Sequence, residues 1–301
     1  MSQLRPPLAD SAVAVPDPAG AGTLAGLRVS RPRAVASYLG RRPGLVLAIG
    51  WIALMVLAAF WPGLIAPDNP LGVSVGVRAA PSAHHLFGTD EIGRDLFSRV
   101  VYGSRLTLRA SLIAIGIGAA AGGSLGLLAG YAGGWVDHLA MRVADVLLAI
   151  PVLLLSLAVV LTLGFGITDV ALAVGLAFIA SSARVMRGQV LKIRQSPFIE
   201  AAAVGGARRA RLLGRHVLPN AVEPVLVLAA MQFGEAILAV STLSFLGYGV
   251  QPPAPEWGAL VADGRDYLNS SWWLTTLPGL TIVVTVLAAN RISRAFAEGS
   301  S

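Results

Sequence analysis

Residues 106–130 read LTLRASLIAIGIGAAAGGSLGLLAG, a block of apolar and small residues interrupted by one charge, Arg109. A run of this length exceeds the roughly 20 residues an α-helix needs to cross the hydrocarbon of a bilayer. Further apolar runs lie around it, at about 44–66, 139–163, 170–190, 222–247 and 273–292. The runs at 139–163 and 170–190 are separated by little more than Gly164 to Asp169, which reads as a tight turn between antiparallel helices. The expected fold class is an all-α membrane protein with six transmembrane helices.

The whole chain agrees with that block. It is 55% hydrophobic and 13% charged, against about 25% charged residues in an ordinary soluble domain. Cysteine is absent, which removes disulfide frameworks and thiolate metal sites. The net charge of +7 would suit nucleic acid, but basic residues in a membrane chain mark cytoplasmic loops facing anionic lipid; no nucleic-acid partner is expected. Residues 1–40 are rich in Ala, Gly and Pro without periodicity and are read as a disordered cytoplasmic tail, leaving 41–301 as the membrane domain. The first apolar run begins only after Pro43, too late for a secretory signal peptide.

Orientation follows from where Lys and Arg cluster near the spans. With the amino terminus inside, the inner loops gather Arg28, Arg31, Arg33, Arg41, Arg42, Arg142, the group from Arg184 to Arg215, Arg291 and Arg294. The outer loops hold fewer: Arg78, Arg94, Arg99, Arg105, Arg109 and Arg265. Both termini are then cytoplasmic.

Between the fourth and fifth spans runs Phe198-Ile199-Glu200-Ala201-Ala202-Ala203-Val204-Gly205-Gly206, followed by an Arg-rich piece ending in Leu218-Pro219-Asn220. As one helix, it would put Ile199, Ala202, Gly206, Ala210 and Leu213 on one face and Arg208, Arg211 and Arg215 opposite. The glycine pair favours two short helices with a turn. Either arrangement offers a small-residue ledge beside a basic edge, suited to docking in a groove; an interfacial helix with arginines on headgroups is the plainer alternative.

Glu-Ala-Ala, three residues, Gly and then Leu-Pro resembles the EAA loop of ABC importer permeases. Two further segments resemble the C-type permease of dipeptide and oligopeptide importers. One, before the second span, contains Gly88, Thr89, Asp90, Gly93, Arg94, Asp95, Ser98, Arg99, Tyr102, Gly103 and Arg105. Read from the residues alone, Thr89 or Asp90 would cap a short amphipathic helix on the outer membrane surface, with Ile92, Leu96, Phe97, Val100 and Val101 at helical spacing. Asp90, Arg94 and Asp95 suit capping and ion pairing better than metal binding, although His84 and His85 precede them. The other segment, Leu243 to Gly258, closes the fifth span with prolines that end a regular helix. Trp257, Trp272 and Trp273 are candidates for an interfacial aromatic belt, a role favoured for the last two.

The resemblance runs from about Arg41 to the carboxyl terminus. It implies a type I importer permease fold with a cytoplasmic coupling helix, and a bacterial cytoplasmic-membrane location. It places Glu200, Ala201, Ala202, Gly205, Gly206, Arg208, Leu218 and Pro219 at the ATPase contact. The implied partners are a second, B-type permease, two ATPase subunits that hold ATP and Mg, an extracytoplasmic solute-binding protein and a peptide solute; nickel chelate and glutathione are alternative solutes. Two features depart from the family pattern. Arg208 and Arg209 stand where many members are polar or acidic, and Val240 stands where many carry Glu before Leu-Ser-Phe-Leu-Gly.

Ionisable groups inside spans face cavities or partners. Glu235, with Ser241 and Ser244, is therefore a candidate for the translocation path, whereas Arg142 and Asp145 have the spacing of a local pair. A membrane-embedded enzyme would need convergent nucleophiles or ligands, yet His84, His85, His138 and His216 never fall at the i, i+4 spacing of a helical zinc site. No Gly-x-x-x-x-Gly-Lys-Ser/Thr phosphate loop occurs, and the only lysine is Lys192. The chain is expected to carry no cofactor, metal or catalytic residue of its own.

Overall fold

The computed structural model describes residues 42–73, 76–197, 199 and 209–299; the tail expected over 1–40 lies outside these residues. Among them the fold is helical, with two isolated β-bridges, Val73 with Arg94 and Thr89 with Asp95. The helices are α1 (Pro43–Phe60), α2 (Pro62–Ile65), α3 (Leu96–Ala132), α4 (Gly134–Ala149), α5 (Val152–Leu163), α6 (Ile167–Arg194), α7 (Arg209–Leu212), α8 (Leu218–Phe245), α9 (Trp257–Gly264) and α10 (Trp273–Gly299). Five helical stretches are each long and apolar enough to cross a membrane, and the bent pair α4–α5 makes a sixth if it forms one span. The chain is a multi-pass membrane protein.

The run expected to cross continuously at 139–163 is in fact broken, with α4 and α5 meeting at 100°. Pro151 explains the break. It has no N–H to donate and its ring clashes with the preceding turn, and it drives Ile150 into an extended conformation, φ −96° and ψ 129°. The turn expected between α5 and α6 is present. Gly164 and Gly166 adopt φ of 127° and 154° there, conformations that other residues rarely enter.

α3 begins ten residues before the apolar block because Asp95 caps it, its carboxylate accepting the Ser98 N–H at 2.7 Å. The segment expected to form a separate helix on the membrane surface is therefore a folded loop followed by the first turns of the membrane helix. Neither Thr89 nor Asp90 is the cap, and Ile92 sits exposed in the turn before the helix. The 37 residues of α3 extend about 55 Å, well beyond the roughly 30 Å of hydrocarbon.

α3 and α6 are the central pair. Gly118, Gly122, Gly126 and Gly130, spaced one turn apart on α3, face Phe178, Ile179, Ala183 and Val190 of α6. A Cβ on Gly126 would lie 2.2 Å from the Ala183 carbonyl oxygen, and one on Gly122 would lie 2.4 Å from that of Ile179. Lipid tails are as apolar as the side chains they would replace, so close backbone approach through small residues is what drives such a pair together. Ala110, Ala114, Val170, Ala171, Val174, Phe178, Ala236, Ala239 and Val240 extend this packing to α8. Val240 is fully buried in that apolar cluster. A carboxylate in its place would need a partner of its own.

Polar contacts fasten the outer helices of the bundle. Trp51 of α1 donates Nε1–H to Thr285 Oγ1 of α10 at 3.0 Å, Gln232 of α8 donates to Ser181 Oγ of α6 at 2.9 Å, and Ser293 of α10 donates to the Ala230 carbonyl of α8 at 2.5 Å. A π-turn over Leu213–Val217 leads into α8, where Leu218 and Pro219 form the first turn.

Candidate functional site

The segment before α3 folds around a buried carboxylate. Asp90 accepts the N–H groups of Ile92 and Arg94 at 3.0 and 2.8 Å, Arg94 Nε at 2.6 Å and Arg99 Nη1 at 2.5 Å. Arg94 also reaches Glu91 at 3.0 Å, and Arg99 lies 3.8 Å from Asp263 of α9. Burial alone pushes the Asp90 carboxyl up, but the Arg94 and Ile92 N–H groups, the Arg94 side chain and the Arg99 charge outweigh it and hold the group below its ordinary value. Asp263 is pushed up, first by burial and then by the Glu91 charge.

Around this centre, Thr89 is fully buried. It donates to the Gly76 carbonyl at 2.5 Å and accepts the Ala79 N–H at 2.7 Å. Gly88, at φ 74°, passes so close to Ala79 that a Cβ would lie 2.4 Å from its carbonyl oxygen. Gly93 turns at φ 88°. Asp95, besides capping α3, lies 2.9 Å from His85 Nδ1. Ser98 is buried, Tyr102 packs beside Ala58, Ala66 and Val101, and Gly103 lies against Trp257. Arg105 is exposed and lines a groove between α1 and α3. Arg78 stacks 4.9 Å from the centre of the Tyr267 ring, just beyond α9.

A second carboxylate locks α9 to α3. Glu256 is completely buried; it caps α9 by accepting the Ala259 N–H at 3.0 Å and accepts the Thr107 hydroxyl at 2.8 Å. Burial pushes its carboxyl up against the opposing pull of Thr107 and the Ala259 and Gly258 N–H groups. Trp257 is buried too and donates Nε1–H to the Val100 carbonyl at 2.9 Å. Of the two tryptophans assigned to an interfacial belt, Trp272 is exposed, whereas Trp273 is buried among Leu96, Val100 and Trp257 and belongs to the core.

At the other end of α3, Asp137 of α4 accepts a two-pronged contact from Arg187 of α6, at 2.5 and 2.6 Å. Asp145 pairs with Arg184 of α6, not with Arg142 as the spacing suggests, because α4 lies alongside α6. Arg194, at the end of α6, donates to the Gly130 and Tyr131 carbonyls at 2.7 and 3.0 Å.

Of the proposed ATPase contact, Glu200, Ala201, Ala202, Gly205, Gly206 and Arg208 lie outside the described residues. Its flanks are described. Ile199 is buried among Met186 and Val190 of α6, Val217, and Ala221 and Val225 of α8, with Leu218 packed alongside. Pro219 is exposed in the first turn of α8. Ile199 thereby touches both α6 and α8.

The residues singled out for a translocation path do not converge. Glu235 is exposed on α8, beside exposed Met231 and Leu238, while Ser241 and Ser244 are buried against Gly258 and Gly249. Nine residues turn a helix by roughly 180° relative to the start, which puts Glu235 and Ser244 on opposite faces. The buried Glu256, the glycine row on α3 and the α4–α6 ion pairs all escape the sequence reading; only the glycine row leaves a signal there, its spacing of four.

Comparison with known proteins extends the geometry. A family model described as "Binding-protein-dependent transport system inner membrane component" matches residues 122–299. A dipeptide transport system permease protein of Alkalihalophilus pseudofirmus is 38% identical over 250 residues, covering 83% of this chain and 81% of that protein. A di/tripeptide transport system permease protein of Pseudomonas aeruginosa is 39% identical over 247 residues, with 80% and 82% coverage. A glutathione transport system permease protein of Pectobacterium atrosepticum is 39% identical over 253 residues, with 83% and 84% coverage. Among solved structures, an amino acid ABC transporter with histidines aligns with a TM-score of 0.52 at 16% identity, over 67% of this chain and 94% of that one; this likeness speaks to the fold alone.

Proposed function

Because the chain belongs to the family of binding-protein-dependent transport system inner membrane components, we propose that it is the C-type permease subunit of a bacterial ATP-driven importer for di- or oligopeptides. The observation that carries the peptide assignment is similarity over about four fifths of its length to permeases named for dipeptide and di/tripeptide transport. In this reading the chain forms half of a translocation pore in the cytoplasmic membrane, beside a homologous permease. Two cytoplasmic ATPases bind ATP and Mg and supply the stroke, and a solute-binding protein delivers peptide outside. Both termini face the cytoplasm, which puts the Asp90 and Glu256 locks on the outer side and residues 195–209 inside.

The mechanism follows from what is fastened to what. Ile199 is buried between α6 and α8, so a displacement of residues 200–208 by closing ATPases pulls on both helices at once. Small residues at Ala201, Ala202 and Gly206 allow close approach with little slack. The Asp90 and Glu256 locks hold the far ends of α3 and α9 together, giving the binding protein a firm surface to meet. Glu235, on the open face of α8, faces the path or the partner permease.

The test is co-expression with the neighbouring permease, ATPases and binding protein, purification through a tag on this chain, and ATP hydrolysis in liposomes with peptide or glutathione. Stimulation by peptide-loaded binding protein is the expected result. A stable complex stimulated by glutathione alone replaces the solute, and the absence of any ATPase from the complex overturns the reading. Gly206→Trp should leave assembly partly intact and abolish transport; wild-type uptake by that variant would remove the coupling role.

A further inference from the structure

We propose that the groove between α1 and α3 binds one anionic phospholipid, its phosphate held by Arg105 and Arg109 and one acyl chain lying along Val56, Leu112 and Ile113. The groove has a volume of about 680 Å³, within the ordinary range of small-molecule sites. Its walls are apolar apart from the two arginines. These stand one turn apart on the same face of α3 and are both exposed. Among the described residues neither forms an ion pair, whereas Arg94, Arg99, Arg184 and Arg187 all do.

Depth argues for a lipid. α1 has 18 residues, about 27 Å of helix, which matches the hydrocarbon thickness. The groove lies at its carboxyl end, against Ala59 and Phe60, where exposed Trp61 marks the interface. The guanidiniums therefore sit where hydrocarbon gives way to headgroups. Their planar fork matches phosphate oxygens, and the apolar trough continues toward the bilayer centre along Leu112 and Ile113. Free phosphate has no use for that trough. A second protein covering it would have to bury two unpaired cations or bring carboxylates to meet them.

The inference does not depend on which solute is transported. The chain, purified in neutral detergent with the subunits that accompany it, would be titrated with phosphatidylglycerol, phosphatidylcholine or inorganic phosphate and its bound lipid counted by native mass spectrometry. Wild type should retain phosphatidylglycerol over phosphatidylcholine, and R105Q/R109Q should bind it roughly tenfold more weakly. L112W, which fills the trough and keeps both arginines, should lose the lipid with helicity unchanged by circular dichroism. Equal retention of the two lipids, wild-type retention in both variants, displacement of lipid by phosphate alone, or oxidant-driven disulfide capture of Leu112→Cys by a cysteine introduced into the second permease overturns the proposal.

Discussion

Thr107 and Glu256, 149 residues apart in the chain, meet at 2.8 Å, the hydroxyl donating to a carboxylate that solvent does not reach. The contact joins the first third of α3 to the start of α9, and the same carboxylate caps α9. Glu256→Ala removes the cap and leaves the Thr107 hydroxyl and the Ala259 N–H without their acceptor, which should cost about 2–4 kcal/mol. Glu256→Gln keeps one acceptor oxygen and should cost about 1 kcal/mol. Unfolding temperatures in detergent check this; no loss in Glu256→Ala would show that the carboxylate contacts carry no stability.

The two buried carboxylates should give opposite pH dependences. Burial raises Glu256, so the folded state keeps a proton that the unfolded state releases. Its contribution is complete below the ordinary carboxylate range, about pH 4.3, and is lost as pH rises through the raised folded value. Asp90 is held low by its N–H and arginine contacts; its contribution is complete above that range and is lost as pH falls through the lowered value. Glu256→Gln should flatten the alkaline side of a stability profile, and Asp90→Asn the acid side. Unchanged profiles in both variants would assign the titration elsewhere.

Two neighbouring glycines of α3 make a paired test of the central contact. A Cβ on Gly126 meets Ala183 backbone at 2.2 Å, whereas one on Gly123 meets only the flexible end of Met186 at 3.5 Å. Gly126→Ala should therefore force the helices apart at a cost of about 1–3 kcal/mol, and Gly123→Ala should be neutral or slightly stabilising, since alanine is the better helix former. Thermal unfolding of the two variants side by side gives the answer, and similar values would exclude backbone contact through Gly126.

What the sequence disclosed depended on the range of the interaction. Runs of apolar residues locate the membrane helices, because the bilayer demands length and hydropathy that any window detects, but not their ends: α3 begins ten residues before its run and α10 ends seven after its own. The break at Pro151 was visible as a residue but not as a bend, since one proline hardly alters the hydropathy of 139–163 and many membrane helices tolerate proline. Asp90 and Arg94 sit four apart, so their pairing was within reach, while Arg99 with Asp263 and Arg187 with Asp137 depend on how distant helices pack. Trp273 reads as an interfacial anchor because it adjoins Trp272, which is exposed. Only the arrangement of α3, α9 and α10 buries it.

The Asp137 to Arg187 contact bears on how motion would travel through the bundle. It joins the first turn of α4 to α6 seven residues before α6 ends, and α6 leads directly into the stretch proposed to meet the ATPases. Arg194 fastens the same end of α6 to the last turns of α3. If α6 moves as a rigid lever, releasing the fork should let the stroke dissipate. Asp137→Asn and Arg187→Gln should each lower solute taken up per ATP severalfold while costing about 1–3 kcal/mol of stability. The exchange D137R/R187D should restore part of the coupling. Asp145→Asn, which breaks a pair with Arg184 on the bundle surface, should cost less than breaking the fork does and leave the ratio unchanged. Uptake and hydrolysis measured in the same liposomes separate the cases: a normal ratio in Asp137→Asn and Arg187→Gln at reduced stability would make the fork a brace for folding, with transmission running through α8 alone.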